Sequence, residues 1–204
     1  MSREIELKIP LSLEQFEKIE KILTQKEPLP SVKIRALSHI LKSDEYFSLY
    51  KSHEERLKNK ELRVIRIRTE NDGKGEKSFF CIKQKTLENG VEFNSEKETF
   101  IEDADVLRSF FAATGYIKWF EKKKDALSLY CSIENFPGFE AHLELEKVND
   151  LPYAEIEYTK DDLPPEEVRA NLEKILVALG LDPKKRDSRS WAEIINSECK
   201  MQNE

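Results

Sequence analysis

Apolar and charged residues alternate with a period of two along seven or more segments of this chain. In the first segment, residues 4–9, three aliphatic side chains share one face and Glu4, Glu6 and Lys8 share the other. Later segments place on one face the pairs Arg66 and Arg68, Lys83 and Lys85, Glu96 and Glu98, Lys122 and Lys124, Glu144 and Glu146, and Glu155 and Glu157. A solvated sheet face usually mixes polar residue types. Charges sorted by strand therefore predict a polar interior that holds cations and anions together.

Helix signals separate these segments. Helices are predicted to begin at Ser12, Asp103, Pro164 and Ser190. Gln15 completes a capping box with Ser12, and Glu193 does so with Ser190. Gly115 and Gly180 are predicted to end the second and third helices.

Strands are predicted between the helices, with turns at Asn89-Gly90 and Pro137-Gly138. Residues 31–60 are weakly patterned, and the pattern there favours only a short strand over 46–50 and a charged, mobile loop over 53–60. The remaining strands are predicted over residues 62–69, 78–85, a return strand to 101, 117–124, 127–133, 139–148 and 153–159.

Both the strand faces and the helix stripes carry apolar surface that must be buried. Helices packed on the outside of a curved antiparallel sheet bury the apolar faces of the strands and the apolar stripes of the helices together. The charged strand faces then lie on the concave side. Eight or nine strands are enough to close a barrel around a small ligand. The fold class predicted is α+β, an eight-stranded antiparallel β-barrel (a tunnel) with a charged interior. Residues 1–196 form one domain in this prediction, followed by a tail over 197–204.

Bulk composition indicates a cytoplasmic globular protein. Charged residues make up 36% of the chain, yet the net charge is only -6, which argues against nucleic acid and anionic membranes as partners. No apolar run approaches the roughly 20 residues of a membrane span, and the N-terminus is a charged strand rather than a signal sequence. Cys81, Cys131 and Cys199 are too few and too widely spaced for a disulfide framework or a zinc site, so we expect reduced thiols.

Crowded charges in a tunnel are costly unless they are matched. Clustered carboxylate oxygens suit Mg²⁺ or Mn²⁺, and the arginine and lysine pairs suit a polyanion. Metal, many bases and little covalent machinery are the usual components of phosphoryl chemistry.

The run Glu4-Ile5-Glu6-Leu7-Lys8 resembles the ExExK signature of the CYTH superfamily, the triphosphate tunnel metalloenzymes. The later basic and acidic strands follow that family's order as far as Ser188-Arg189-Ser190-Trp191, so the resemblance covers nearly the whole chain. It implies an eight-stranded tunnel that binds a divalent metal and a small triphosphate such as ATP, thiamine triphosphate or inorganic triphosphate. A homodimer is compatible with it.

Residue roles follow from the same resemblance. Catalytic roles are implied for Glu4, Glu6 and Lys8. The implied phosphate-binding residues are Lys8, Arg66, Arg68, Lys83, Lys85, Lys122 and Lys124. The implied metal ligands are Glu4, Glu6, Glu144, Glu146, Glu155 and Glu157. The chain departs from the family pattern at Asn94 and Lys124, where arginines are common, and at Glu146 and Pro152.

Three functions remain open at this point. A metal-dependent triphosphatase that releases phosphate is favoured, because hydrolysis uses water as the nucleophile and does not require the site to hold an adenosine. A class IV adenylyl cyclase, which converts ATP to cyclic AMP and pyrophosphate, uses the same tunnel. A non-catalytic polyphosphate-binding or nucleotide-binding module is the third, since two arginines are missing. His142 shares the inward parity of Glu144, but a structural role is favoured for it.

Overall fold

The computed structural model describes residues 3–88, 91–136 and 138–201, without the side chains at positions 3, 85–88, 91–94 and 199–201. The predicted turn at Asn89-Gly90 and most of the predicted 197–204 tail therefore lie outside the described residues or side chains, as do Pro137 and the side chains of Lys85, Asn94 and Cys199. Among the described residues, no helix combines the length and apolarity needed to cross a membrane.

Eight antiparallel strands close into a barrel in the order β1-β5-β4-β3-β2-β6-β7-β8, with β8 pairing back onto β1. The strands are β1 Arg3–Pro10, β2 Val32–Ser48, β3 Arg63–Asn71, β4 Glu76–Glu88, β5 Val91–Ile101, β6 Ile117–Ile133, β7 Glu140–Val148 and β8 Leu151–Tyr158. The predicted α+β barrel with charged residues inside is thus confirmed.

The described part of the chain also forms five α-helices and one 3-10 helix over Pro183–Lys185. The α-helices are α1 Leu13–Thr24, α2 His53–Lys58, α3 Ala104–Ala113, α4 Pro165–Ala178 and α5 Trp191–Met201. The predicted starts are confirmed, because Ser12 and Gln15 form a capping box on α1 and Asp103 caps α3. Ser190 and Glu193 exchange the same hydrogen bonds at the start of α5. Gly115 and Gly180 follow α3 and α4 with φ of 84° and 77°, a conformation that costs glycine little.

The main hydrophobic core lies outside the barrel, between the sheet and helices α1 and α4. Ile5, Leu7 and Ile9 of β1 are buried there with Leu172 and Ile175 of α4. Smaller clusters seat α5 against Val148 and Tyr153, and α3 against Phe47 and Ile67. The apolar faces of the strands point outward to the helices. The charged faces, on the opposite side of the same strands, therefore point into the barrel.

Three strand predictions were wrong. The short strand over 46–50 is the end of the 17-residue β2, and the strands over 117–124 and 127–133 are one continuous β6. The mobile loop predicted over 53–60 contains helix α2, capped by Ser52. The guanidinium of Arg56 anchors this helix to the barrel end, through Glu61 Oε2 at 2.7 Å and the carbonyl oxygen of Arg63 at 2.6 Å.

Candidate functional site

The barrel encloses a cavity of about 680 Å³ to which all eight strands contribute side chains. The described residues lining it include nine carboxylates and nine lysines or arginines. The carboxylates are Glu4, Glu6, Glu61, Glu96, Glu98, Glu144, Glu155, Glu157 and Glu193. The bases are Lys8, Lys42, Arg56, Arg66, Arg68, Lys83, Lys122, Lys124 and Arg189. Opposite charges in equal number let the protein hold this interior without a ligand.

Asp44 of β2 is the centre of one charged cluster. Its fully buried carboxylate accepts hydrogen bonds from Arg68 Nε at 2.7 Å and Arg68 Nη2 at 3.0 Å. Arg66 Nη1 and Lys122 Nζ approach it at 3.7 and 3.5 Å. Burial alone would raise the pKa of Asp44, but the three cations outweigh it and hold this pKa well below its usual value. Asp44 therefore fixes the direction of two guanidinium groups inside the tunnel.

Lys124 of β6 is the centre of the second cluster. Its Nζ lies 2.5 Å from Glu155 Oε2, 2.6 Å from Glu146 Oε2 and 3.4 Å from Glu144 Oε2. Burial raises the pKa of Glu146 well above its usual value even though Lys124 opposes the shift. The pKa values of Glu144 and Glu155 are lowered, because the lysines beside them outweigh burial. Protonation is thus concentrated on Glu146.

A third cluster joins β1, β4 and β5. Lys83 Nζ lies 3.4 Å from Glu6 Oε2, 3.7 Å from Glu4 Oε2 and 3.6 Å from Glu96 Oε2. Glu96 also accepts a hydrogen bond from Arg66 Nη2 at 3.1 Å. Burial raises the pKa of Glu4 to about 7, opposed by Lys83 and reinforced by Glu157 and Glu96. Burial, reinforced by Lys124, lowers the pKa of Lys122 to about 7.

Strand register brings together the carboxylates that were predicted to bind metal. Glu6 is paired with Glu157 across β1 and β8, and Glu155 with Glu144 across β8 and β7. Like charges directly opposite one another in a sheet repel, so these pairs are stable only near cations. Oxygens of Glu144, Glu146 and Glu155 lie within 4.8 Å of one another, close enough to share one ion.

The donor chemistry fits a hard divalent cation, since these groups are oxygen ligands. Both oxygens of Glu146 are buried and accept no well-oriented hydrogen bond from the described residues. The ammonium of Lys124 lies among the three carboxylates, so an ion shared by all three requires this side chain to move. A second group that could hold an ion is formed by Cys81, Glu96 and Glu98, but burial raises the pKa of the Cys81 thiol to about 12. Within the described part of the chain, Glu4, Glu6 and Glu157 belong to neither group.

A hydrogen-bonded chain crosses β6, β7 and β8. Ser128 Oγ lies 2.8 Å from His142 Nε2, and His142 Nδ1 lies 3.0 Å from Glu157 Oε1. Burial tends to lower the pKa of His142, but the contact with Glu157 raises it overall. The arrangement holds the imidazole and the Glu157 carboxylate in one orientation.

Aromatic side chains surround one end of the cavity. We call this group the aromatic rim. It consists of the rings of His53 of α2, Trp119 of β6 and Trp191 of α5, together with the guanidinium of Arg56 of α2, which packs on Trp119. The Arg56 guanidinium lies 4.5 Å from the centroid of the Trp119 ring, and the His53 ring stacks on Trp119 at 6.3 Å. His53 Nε2 is 3.5 Å from Glu193 Oε1, so the rim connects α2 with α5.

The cavity contains most of the predicted site residues. They are Glu4, Glu6, Lys8, Arg66, Arg68, Lys83, Lys122, Lys124, Glu144, Glu155 and Glu157. Glu146 has no exposed surface and lies against Lys124 rather than lining the cavity. The side chain of Lys85 lies outside the described part of the structure.

Sequence reasoning missed two parts of this site. Lys42 and Asp44 belong to the weakly patterned β2, where a Lys-Ser-Asp alternation over residues 42–44 was the available signal. The aromatic rim was missed because its members come from three distant elements. Only the presence of both tryptophans of the chain near charged segments pointed to it.

Comparisons with known proteins place the fold. No protein-family model and no curated protein matches this sequence. Among solved structures, the PH1819 protein of Pyrococcus horikoshii has a TM-score of 0.70 at 23% identity, with 96% of this chain and 99% of that chain covered.

Two further neighbours carry functional descriptions. A protein of Vibrio parahaemolyticus proposed to be an adenylate cyclase matches with a TM-score of 0.64 at 16% identity, covering 96% of this chain and 98% of that one. A proposed adenylyl cyclase of Hippeastrum, described as having a dominant triphosphatase activity, matches with a TM-score of 0.63 at 18% identity, covering 97% and 96%. The chain therefore shares the fold of these proteins, an eight-stranded antiparallel barrel with a charged interior.

Proposed function

We propose that this protein is a divalent-metal-dependent enzyme that hydrolyses a triphosphate and releases orthophosphate. The observation that carries the proposal is a cavity in which nine basic side chains and nine carboxylates of the described residues lie together. Such a lining suits an anion and a cation bound side by side. The triphosphatase activity described for the Hippeastrum neighbour supports this choice of reaction.

In this proposal the bases bind the phosphate oxygens. Arg66 and Arg68 present planar donors that Asp44 and Glu96 hold in place, so little reorganisation is needed when an anion enters. Lys83 and Lys122 act as point charges beside them. Each base exchanges a carboxylate of the protein for a phosphate oxygen, which leaves the carboxylates free to bind a cation.

The carboxylates of β1, β7 and β8 would hold Mg²⁺ or Mn²⁺ in this proposal. The strand register that pairs Glu6 with Glu157 and Glu144 with Glu155 supports it, as does the approach of Glu144, Glu146 and Glu155 to within 4.8 Å of one another. A bound divalent ion supplies Lewis-acid stabilisation of the transferring phosphoryl group. Ser128 and His142 hold the Glu157 carboxylate in a fixed orientation, and they do so before any ligand arrives.

The test follows the phosphorus atoms. The protein is incubated with Mg²⁺ or Mn²⁺ and with ATP, thiamine triphosphate or inorganic triphosphate, and the products are identified by ³¹P NMR. We expect orthophosphate only when a divalent metal is present, and loss of most turnover in Glu6→Gln and Glu157→Gln. Binding without turnover of any triphosphate would indicate a binding module instead.

One observation keeps a cyclase as the second candidate. The aromatic rim borders the basic part of the cavity, where Lys122 Nζ lies 5.1 Å from the centroid of the Trp191 ring. A cyclase must hold a nucleoside so that its ribose hydroxyl reaches the α-phosphorus. Cyclic AMP and pyrophosphate as the major products from ATP, with inorganic triphosphate left intact, would establish that reaction.

A further inference from the structure

The ammonium of Lys124 lies where the acidic residues of β7 and β8 come closest together. Its Nζ approaches an oxygen of Glu144, of Glu146 and of Glu155, and these three residues can bring their oxygens within 4.8 Å of one another. Lys124, Glu144 and Glu146 are all buried, so solvent does little to neutralise these acids. In the ligand-free protein the ammonium therefore neutralises the carboxylates that a hard divalent cation would bind.

A second lysine shares one of these acids with Lys124. Lys42 of β2 is directly opposite Lys124 of β6 in the strand register, and the two ammonium groups bind different oxygens of Glu144. Like charges directly opposite one another in a sheet repel, so Lys42 disfavours the position that Lys124 occupies. Glu144 would keep Lys42 as its cationic partner if Lys124 moved away.

Lys124 has a second set of neighbours on the cavity side. Lys8, Lys122 and Lys124 have their Nζ atoms 5.6, 5.1 and 5.6 Å from the centroid of the Trp191 ring. All three lysines line the cavity, and lysine carries its charge at the end of a flexible four-carbon stem. Rotation within this stem would bring the ammonium of Lys124 to an anion that is bound beside Trp191 by the other two lysines.

The two positions of Lys124 link the binding of a metal to the binding of an anion. A metal ion that displaced the ammonium by itself would leave Lys124 buried without an acid, and an unpaired buried charge is strongly unfavourable. An anion that attracted the ammonium by itself would leave Glu146 and Glu155 without their cation. When metal and anion bind together, every one of these charges keeps a partner, so each ligand favours the other.

We propose that Lys124 is an internal counter-cation. In the ligand-free protein its ammonium takes the position of a divalent cation among Glu144, Glu146 and Glu155, and on ligand binding it is replaced there by Mg²⁺ or Mn²⁺ and pairs with a phosphate instead. The protein then binds the metal weakly by itself and tightly together with the anion. This inference rests on the proposed function, because it describes how the metal and the triphosphate of that reaction enter the same tunnel.

The test measures metal binding and anion binding separately. Titration calorimetry gives the Kd of Mn²⁺ and the Kd of a non-hydrolysable, methylene-bridged analogue of inorganic triphosphate, each with and without the other ligand, for the wild type and three variants. Lys124→Met removes the ammonium and keeps an unbranched side chain. Lys122→Met removes a tunnel lysine whose ion pair is with Asp44, at 3.5 Å, and Lys123→Met removes an exposed lysine of the same strand.

We expect Lys124→Met to bind Mn²⁺ without the anion roughly 5- to 150-fold more tightly than the wild type, the usual range of coupling between two bound groups. The factor by which Mn²⁺ improves binding of the analogue should fall towards one in this variant. Lys122→Met should weaken binding of the analogue but leave the Kd of Mn²⁺ within about threefold of the wild type, because its charge lies farther from the three carboxylates. Lys123→Met should match the wild type.

A second measurement needs only the wild type, because Lys124→Met leaves acids buried without a cation and can fail to fold without metal. Crystals soaked in Mn²⁺ and the analogue are examined by anomalous scattering. We expect the Mn²⁺ signal at the carboxylates of Glu144, Glu146 and Glu155, and the ammonium of Lys124 beside a phosphate of the analogue.

Other outcomes separate this inference from the proposed function. Unchanged or weaker Mn²⁺ binding by folded Lys124→Met would overturn the exchange and leave the triphosphatase intact. So would equal tightening in Lys122→Met, which would be a general effect of charge in the tunnel, or bound Mn²⁺ in crystals where Lys124 still pairs with the three carboxylates. If the wild type neither binds the analogue nor hydrolyses a triphosphate, the proposed function fails, whereas tighter Mn²⁺ binding by Lys124→Met alone would still support the exchange of ammonium for metal.

Discussion

Asp44 shows how a single buried acid can organise a cationic site. Its carboxylate is fully buried and neutralises part of the charge of Arg66, Arg68 and Lys122. Without it, three cations would face one another in a low-dielectric interior, where their repulsion is strong. The basic part of the tunnel therefore depends on this acid for its stability.

We predict that Asp44→Asn destabilises the ligand-free protein by about 3 kcal/mol at pH 7, the usual cost of removing one partner from a buried ion pair. The pKa of Asp44 is lowered in the folded state. Its contribution to the free energy of unfolding is therefore complete above about pH 4, near the unfolded-state pKa, and is lost as the pH falls from there towards the lowered folded-state pKa. Chemical denaturation at pH 7, 5 and 3 checks this. A gap between wild type and variant that is already closed at pH 5 would contradict the assignment.

Arg66 and Arg63 lie on the same strand with opposite orientations, which makes them a matched pair. Arg66 lines the cavity and is buried, whereas Arg63 is exposed outside the barrel. We predict that Arg66→Ala weakens binding of inorganic triphosphate by about 1.5–3 kcal/mol, roughly 10- to 150-fold. Arg63→Ala should change it less than about twofold. Titration calorimetry on both variants checks this, and equal losses would refute the inward orientation.

At the scale of elements, α2 depends on one side chain. Arg56 is buried and joins this six-residue helix to Glu61, to the Arg63 carbonyl and to Trp119. A helix this short is not stable alone, so these contacts must hold it at the barrel end.

We predict that Arg56→Ala speeds hydrogen exchange at the amides of residues 53–60 by about tenfold or more, while exchange in the barrel strands is unchanged. Lys58→Ala on the same helix is the control, because Lys58 is exposed. Hydrogen exchange measured by mass spectrometry tests this prediction. If the amides of residues 53–60 stay protected in Arg56→Ala, contacts other than those of Arg56 hold α2 in place.

The elements differ in how far the sequence predicts them. β1, β3 and β8 alternate cleanly, so their inward residues could be identified from parity alone. β2 was predicted as only a short strand because Ser43 and Glu45 fall on its outer face and remove the contrast. Glu45 is stable there because Arg108 of α3 lies 2.6 Å from it, a partner that sequence spacing does not reveal.

The whole site shows the same limit. Parity predicts that the charges point inward, but it does not specify which acid meets which base. The partners of Lys124 come from β7 and β8, and the rim joins α2, β6 and α5. These contacts depend on how the barrel closes.

In the proposed function, the balance of charge over the whole molecule should couple the binding of the anion to the binding of the metal. Removing the metal leaves the carboxylates to compete with phosphate for the same bases. We predict that Mg²⁺ and a non-hydrolysable, methylene-bridged analogue of inorganic triphosphate together raise the melting temperature of the protein by more than the sum of their separate effects. A ligand at 100 times its Kd adds about 2.7 kcal/mol, enough to be seen by differential scanning fluorimetry. Strictly additive shifts would show that the two sites are independent.

Closure of the barrel by β1 and β8 has a consequence for synthesis on the ribosome. Of the eight barrel strands, β1 is synthesised first and β8 last, and the barrel closes only when these two pair, for example at Ile5 and Tyr158. Both edges of β1 lack a partner until β5 emerges, and one edge still lacks a partner until β8 follows, which in an apolar strand would invite aggregation. Glu4, Glu6 and Lys8 place charge on every second position of the waiting strand and discourage pairing between nascent chains. The residues that line the tunnel in the finished protein thus also protect the chain while the tunnel does not yet exist.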